Sequence, residues 1–309
     1  MAEYFSVYFS QVQQALFEQL LVPVMFALGM GNLLEDGLLA AGWFMVGLVQ
    51  LAVIALVIGA LQRWRPVQRI QDRATVRTDM LYTVLHRLGL FRLAFFFLMT
   101  PWFDDLFGAL RVAGVSTLHL DEIWPGVTDQ AVVSLMLYLV ALDFFAYWLH
   151  RAQHASSMWW RLHSLHHAQL KLTMWSDNRN HVLDDLLRHL LQAFLAQLIG
   201  VPPAQYVAIV ALSQLIESFQ HANLRLWFGR SGERFLISPC FHRRHHTPDG
   251  AHSNFGVLFP WWDMLFGTAH FEHRFEPTGL HDQFHEGRDY GRGFWSQQWQ
   301  GIKRLAGRA

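Results

Sequence analysis

The chain holds 18 histidines, sixteen of them at or after His150 and none before His86. Three groups have ligand spacing: His150-x-x-x-His154, His163-x-x-His166-His167 and His242-x-x-His245-His246. Four apart on a helix, His150 and His154 share one face and can share one metal. In each triplet the two adjacent histidines point to different sides, so one triplet can face two ions. Eight imidazoles exceed what one four- to six-coordinate metal needs, and they predict a two-metal centre. Imidazole suits iron, zinc and copper alike, so donor type leaves the metal open. A zincin needs H-E-x-x-H, with glutamate as general base; here Arg151 takes that position. Carboxylate-bridged di-iron bundles need Glu-x-x-His pairs, and the three groups contain no glutamate. Asp143 and Tyr147 fall on the stripe of His150, where an acid is expected to accept a ligand's far ring N–H. The single cysteine, Cys240, excludes a disulfide framework and a thiolate-rich metal site.

The elements that position these groups read as membrane helices. Charged residues make up 16% of the 309-residue chain and hydrophobic ones 52%, below the ~25% charge of soluble domains. Zero formal net charge points to no nucleic-acid partner. The N-terminus shows no basic region followed by a cleavage site, so no signal peptide is expected. Residues 37–61 carry no charge for 25 positions, enough to cross a ~30 Å hydrocarbon core. A weaker span over 19–34 carries Pro23. Arg65, Arg69, Arg73 and Arg77 recur every four residues and predict a basic helical face, cytoplasmic by the positive-inside rule. The apolar run 91–103 is short and ends at Asp104 and Asp105. Residues 131–149, apolar but for Asp143, are expected to cross back and deliver the histidines to the cytoplasmic face. Residues 190–216 are uncharged but hold Pro202-Pro203, which predicts two helices joined there.

The contexts "DFFAYWLHRAQH", "WRLHSLHH" and "SPCFHRRHH", with the ending at Trp262, Asp263, Phe266, Gly267 and Thr268, resemble the fatty acid hydroxylase superfamily. The resemblance covers about residues 135–270. It implies an all-α, polytopic bundle of about four to six membrane helices with a cytoplasmic histidine-rich cap. Residues 1–130 then form N-terminal helices and the Arg-rich segment, 131–270 the catalytic domain and 271–309 a polar tail. The implied activity is a membrane-bound non-haem di-iron oxygenase that hydroxylates or desaturates a lipid C–H bond. The lipid is of sterol, fatty acyl, ether-lipid or carotenoid type. The cofactors are two Fe ions, which Zn replaces in some preparations, with O2 as co-substrate. Electrons come from a separate ferredoxin- or cytochrome b5-type carrier with its reductase, because no G-x-G-x-x-G or fused redox motif occurs. The membrane is a bacterial inner or ER-type one, and the sequence fixes no oligomeric state.

The resemblance also implies two further ligands, His181 in "DNRNHVLD" and His221 in "ESFQHANL". Some relatives carry a second histidine where this chain has Glu217. Asn223 and Asn254 are expected near the ligands, holding water or a supporting bond. The remaining histidines read as packing or surface residues: His86, His119, His189, and the pairs His270/His273 and His281/His285 beyond the Gly267-Thr268 ending. Two rival readings remain at this stage. One is a membrane di-zinc lipid hydrolase, which lacks a glutamate base. The other is a metal-transport or metal-binding membrane protein, which needs ligands in mid-membrane.

Overall fold

A computed structural model describes residues 2–90, 102–103 and 105–308. Most of the 91–103 run therefore lies outside the described residues. Among them every regular element is helical; the one β-bridge joins Pro66 to Leu224. The first helix, α1 (Ala2–Leu16), continues through a π turn (Phe17–Leu21) into Val22–Ala27. That turn sits where Pro23, lacking an N–H, cannot continue regular pairing. Next, α2 (Leu34–Val53) runs on through Ile54–Ile58 and Gly59–Trp64. Gly31–Trp64 and Ala131–Ala155 are the two described helices long and apolar enough to cross a membrane. Among the described residues no other helix has that length and composition.

The arginine stripe does not form as expected. Arg65 precedes Pro66, and a residue before proline is pushed out of the helical region. The chain stays extended from Arg65, and α3 (Arg73–Arg87) starts only after Asp72, whose side chain accepts from Ala74 N and Thr75 N. Arg73 and Arg77 alone share a helical face. Arg65 instead lies in the extended stretch that pairs with the chain after residue 222, its carbonyl accepting from Arg225 N at 2.7 Å.

The three histidine groups sit on three helices, and His221 caps the end of a fourth. Helix α4 (Ala131–Ala155) breaks at Ser156, whose hydroxyl caps α5 (Ser157–His167) by accepting from Trp159 N. One residue thus turns the chain between two histidine-bearing helices. The 190–216 run splits as its prolines predict, into α6 (Val182–Leu198) and α7 (Pro203–Gln220), with Gly200 at φ +71° in the turn. A left-handed residue there favours glycine. Helix α8 (Pro239–His245) starts at Ser238, which accepts from Cys240 N and Phe241 N. The C-terminal segment is more than a polar tail: α9 (Phe294–Leu305) packs on α5, and Arg304 Nε donates to Arg161 O at 3.0 Å.

Candidate metal centre

Eight imidazoles gather into two sets of four. His150, His154, His167 and His245 form one, and His166, His221, His242 and His246 the other. Within each set one nitrogen per ring lies within 4.8 Å of all the others. The adjacent histidines part company: His167 and His245 join the first set, His166 and His246 the second. The sets touch, with the His167 and His246 rings stacked at 4.5 Å. His163 lies against both, its ring 5.0 Å from His154 and 5.3 Å from His166.

The hydrogen bonds show what these nitrogens are for. His150 Nδ1 is 2.8 Å from Phe255 O, and His245 Nδ1 is 2.7 Å from Ser253 O. A carbonyl only accepts, so each ring carries its proton on Nδ1. The two Nε2 lone pairs then face each other at 3.0 Å. Two lone pairs at that distance repel unless a cation lies between their directions. Double protonation offers no escape, because burial lowers the His245 pKa to about 3. In the second set three Nε2–Nε2 contacts of 3.1 Å link His166, His221, His242 and His246. His221 Nδ1 is 2.8 Å from Glu217 O, so its Nε2 is also a lone pair. Nδ1 of His166, His242 and His246 are buried without a partner. Burial holds His166, His167, His242 and His246 well below the usual histidine range, so neutral donors line the centre at neutral pH. The donor set therefore fits two cations of borderline softness.

The groups that orient the rings differ from those expected. Asp143 does not touch His150. It accepts from Leu258 N at 2.8 Å, Phe259 N at 3.3 Å and Trp262 Nε1 at 2.9 Å. It thereby ties α4 to the loop whose carbonyls orient His150 and His245. Asp263 closes that loop, accepting from Phe255 N, Gly256 N and the Thr268 hydroxyl. Tyr147 stands 3.1 Å from the same hydroxyl. The acid that does reach a ring is Asp184, one turn into α6, 2.9 Å from His163 Nδ1. It also accepts from Gln153 Nε2 and Trp159 Nε1, both at 2.7 Å. Nothing in the local spacing marked it; its tie to His163 exists only in three dimensions.

Two expectations need correction, those for His181 and Asn223. His181 lies outside both sets: its Nδ1 accepts from Leu183 N as the cap of α6, and its Nε2 is 3.0 Å from Gln298 O. Both ring nitrogens are engaged, so it has no lone pair for a metal. Asn223 binds the main chain of Gln68 through both side-chain ends and anchors the Arg-rich segment instead. Asn254 occupies φ +60°, bonds Phe241 O and His270 N and O, and shapes the loop between Ser253 and Phe255. The other histidines stay outside: His86 pairs with Asp185 at 3.0 Å, His273 stacks on Trp227, and His281 stacks on His285.

Residues 135–268 match the family model described as fatty acid hydroxylase. Over these residues the chain is similar to the fatty acid hydroxylase superfamily. It is 29% identical over 234 residues to the ornithine lipid hydroxylase OlsE of Rhizobium tropici, covering 74% of this chain and 67% of the relative. It is 28% identical over 193 residues to the Delta(7)-sterol 5(6)-desaturase erg3C of Aspergillus fumigatus, covering 55% of this chain and 57% of the relative. Alkylglycerol monooxygenase of Caenorhabditis elegans is 29% identical over 140 residues, covering 44% of this chain and 26% of the relative. The chain thus spans between 26% and 67% of these relatives' lengths. No solved structure matches. These relatives are named for lipid hydroxylation, sterol desaturation and alkylglycerol oxygenation.

Proposed function

We propose that the protein is a membrane-bound non-haem di-iron oxygenase that hydroxylates or desaturates a C–H bond of a lipid. The observation that carries the reading is the pair of His150 and His245 lone pairs facing each other at 3.0 Å, repeated in kind by four converging Nε2 atoms in the second set. His150, His154, His167 and His245 would hold one iron; His166, His221, His242 and His246 the other. His163, with Nδ1 on Asp184 and Nε2 buried and unpartnered, serves as a further ligand at their junction. Two bound irons supply the reductive activation of O2 that oxidation of an unactivated carbon requires.

The chain's residues supply the rest. Phe255 O, Ser253 O and Glu217 O fix the tautomers that aim lone pairs inward, and Asp184 does the same for His163. Burial excludes water and keeps the imidazoles unprotonated. The apolar faces of α2 and α4 let a lipid reach the centre from the bilayer, with the histidine cap on the cytoplasmic side. Electrons come from a separate carrier.

Two measurements test the reading. Metal analysis after oxygen-free purification is expected to give about two irons per chain, as two four-ligand sets require. Lipids of cells with and without the protein are expected to differ by one oxygen or two hydrogens. Full occupancy by a single metal, or zinc with O2-independent ester cleavage, would overturn it.

A further inference from the structure

On the outer side of α5 a cleft of about 290 Å³ is lined by Trp160, Arg161, Asp282, Arg288, Tyr290 and Arg304. Arg304 is 3% exposed, and its guanidinium carbon lies 4.5 Å over the Tyr290 ring. Its Nη1 and Nη2 have no hydrogen-bond partner. The neighbouring acid does not answer them: Asp282 Oδ2 takes the Tyr290 hydroxyl at 2.9 Å and Arg288 Nε at 3.0 Å. A buried guanidinium with two unanswered ends is costly to keep. Arg161 is exposed beside it, Lys303 precedes Arg304 in the last turn of α9, and Arg308 lies just beyond the helix. Three arginines against the one carboxylate of Asp282 leave the cleft's lining net positive.

The cleft's wall leads inward. Trp160, which lines it, has its ring 4.8 Å from that of His154 and 5.3 Å from that of His167. One indole thus separates an anion-seeking surface from the first imidazole set. An electron that enters at this surface has one side chain to cross before the imidazoles.

We propose that this cleft docks an acidic one-electron carrier protein, with a carrier carboxylate seated on Arg304 and Trp160 forming the bridge to the histidine centre. The proposal rests on the oxygenase reading. Each encounter oxidises the carrier by one electron, and two encounters meet the balance R–H + O2 + 2 H⁺ + 2 e⁻ → R–OH + H2O. Carrier contacts of this kind are small and electrostatic, which suits a cleft rather than a broad apolar face.

The test uses the full-length chain in detergent with two purified acidic carriers, a [2Fe–2S] ferredoxin and a cytochrome b5. Binding is titrated on metal-free protein, so this readout is independent of turnover. At about 50 mM salt, R304Q and the exposed charge reversal R161E are each expected to raise the carrier Kd about tenfold or more, and the difference should fade near 0.5 M salt. W160L keeps the cleft's charges and is read by the rate of reduction. On metal-loaded protein it should slow reduction by the carrier at least tenfold while dithionite reduces it as before, and W160F should recover part of the rate. Binding of neither carrier to the wild type, Kd values indifferent to both arginine changes, or unaltered carrier-driven reduction in W160L would each overturn the proposal. If dithionite-reduced wild type yields no oxidised lipid while the arginines still govern binding, the oxygenase reading fails and the docking site stands.

Discussion

Replacement of Asp184 by Asn tests how the centre is held. The carboxylate is 1% exposed and accepts three bonds: Gln153 Nε2 and Trp159 Nε1 on Oδ1, and His163 Nδ1 on Oδ2. Asn keeps the shape but has one acceptor end and one donor end. With its oxygen toward Gln153 and Trp159, its NH2 faces the His163 N–H. With its oxygen toward His163, the NH2 faces two donors. The first arrangement keeps more bonds, and it becomes tolerable if His163 moves its proton to Nε2. That proton would then point at the centre and remove a lone pair. Loss of such an orienting partner typically costs ~10–100-fold in metal affinity, or about 1.4–2.7 kcal/mol. We predict a loss in that range for D184N, measured by iron retention against a graded chelator, with little change in the unfolding of metal-free protein. His163→Gln should lose affinity similarly, and the double variant should add little to either single one. Additive losses, or wild-type affinity in D184N, would refute the argument that Asp184 acts through His163.

Further outcomes are expected. His166→Ala should lose iron from one set and abolish oxygen-dependent turnover; unchanged turnover would remove it from the ligands. His181→Ala should retain both metals, because its nitrogens serve the α6 cap and Gln298 O. It should instead lower unfolding stability by about 1 kcal/mol, as a lost cap does. Asp143→Ala should destabilise the chain by about 1–3 kcal/mol, since Leu258 N, Phe259 N and Trp262 Nε1 lose their acceptor; thermal unfolding measures it. Acid should weaken the metal-free protein. The folded pKa of His245 is lowered from 6.5 to about 3, so between those values the unfolded chain binds the extra proton. Its contribution is fully present above pH 6.5 and falls by about 1.4 kcal/mol per pH unit below it. A denaturant midpoint that holds or rises from pH 7 to pH 5 would contradict this.

How much of the centre was legible in the sequence follows from what each contact depends on. The i,i+4 pair and the two H-x-x-H-H groups could be read because helix geometry alone decides which imidazoles share a face. The same geometry separated His166 from His167 and His245 from His246 before any tertiary contact was known. The prolines at 202–203 also worked locally, since they act on their own backbone. Local reasoning failed where a second segment decides. Asp143 shares a stripe with His150, but three donors from residues 258–262 claim its carboxylate. His181 carries a ligand's chemistry, yet a cap and the carbonyl of Gln298, 117 positions away, consume both nitrogens. The arginine period of four predicts a helix that Pro66 forbids, since a residue before proline leaves the helical region. Asp184 could not be found from spacing at all, because its partner lies 21 positions upstream on another helix. The general rule for such centres is physical. Ligands are chosen by short-range periodicity, whereas the acceptors that fix their tautomers come from wherever the fold brings a carbonyl or carboxylate to the ring's outer nitrogen. Here three of four such acceptors are main-chain carbonyls, Phe255 O, Ser253 O and Glu217 O, whose chemistry is the same for every residue type.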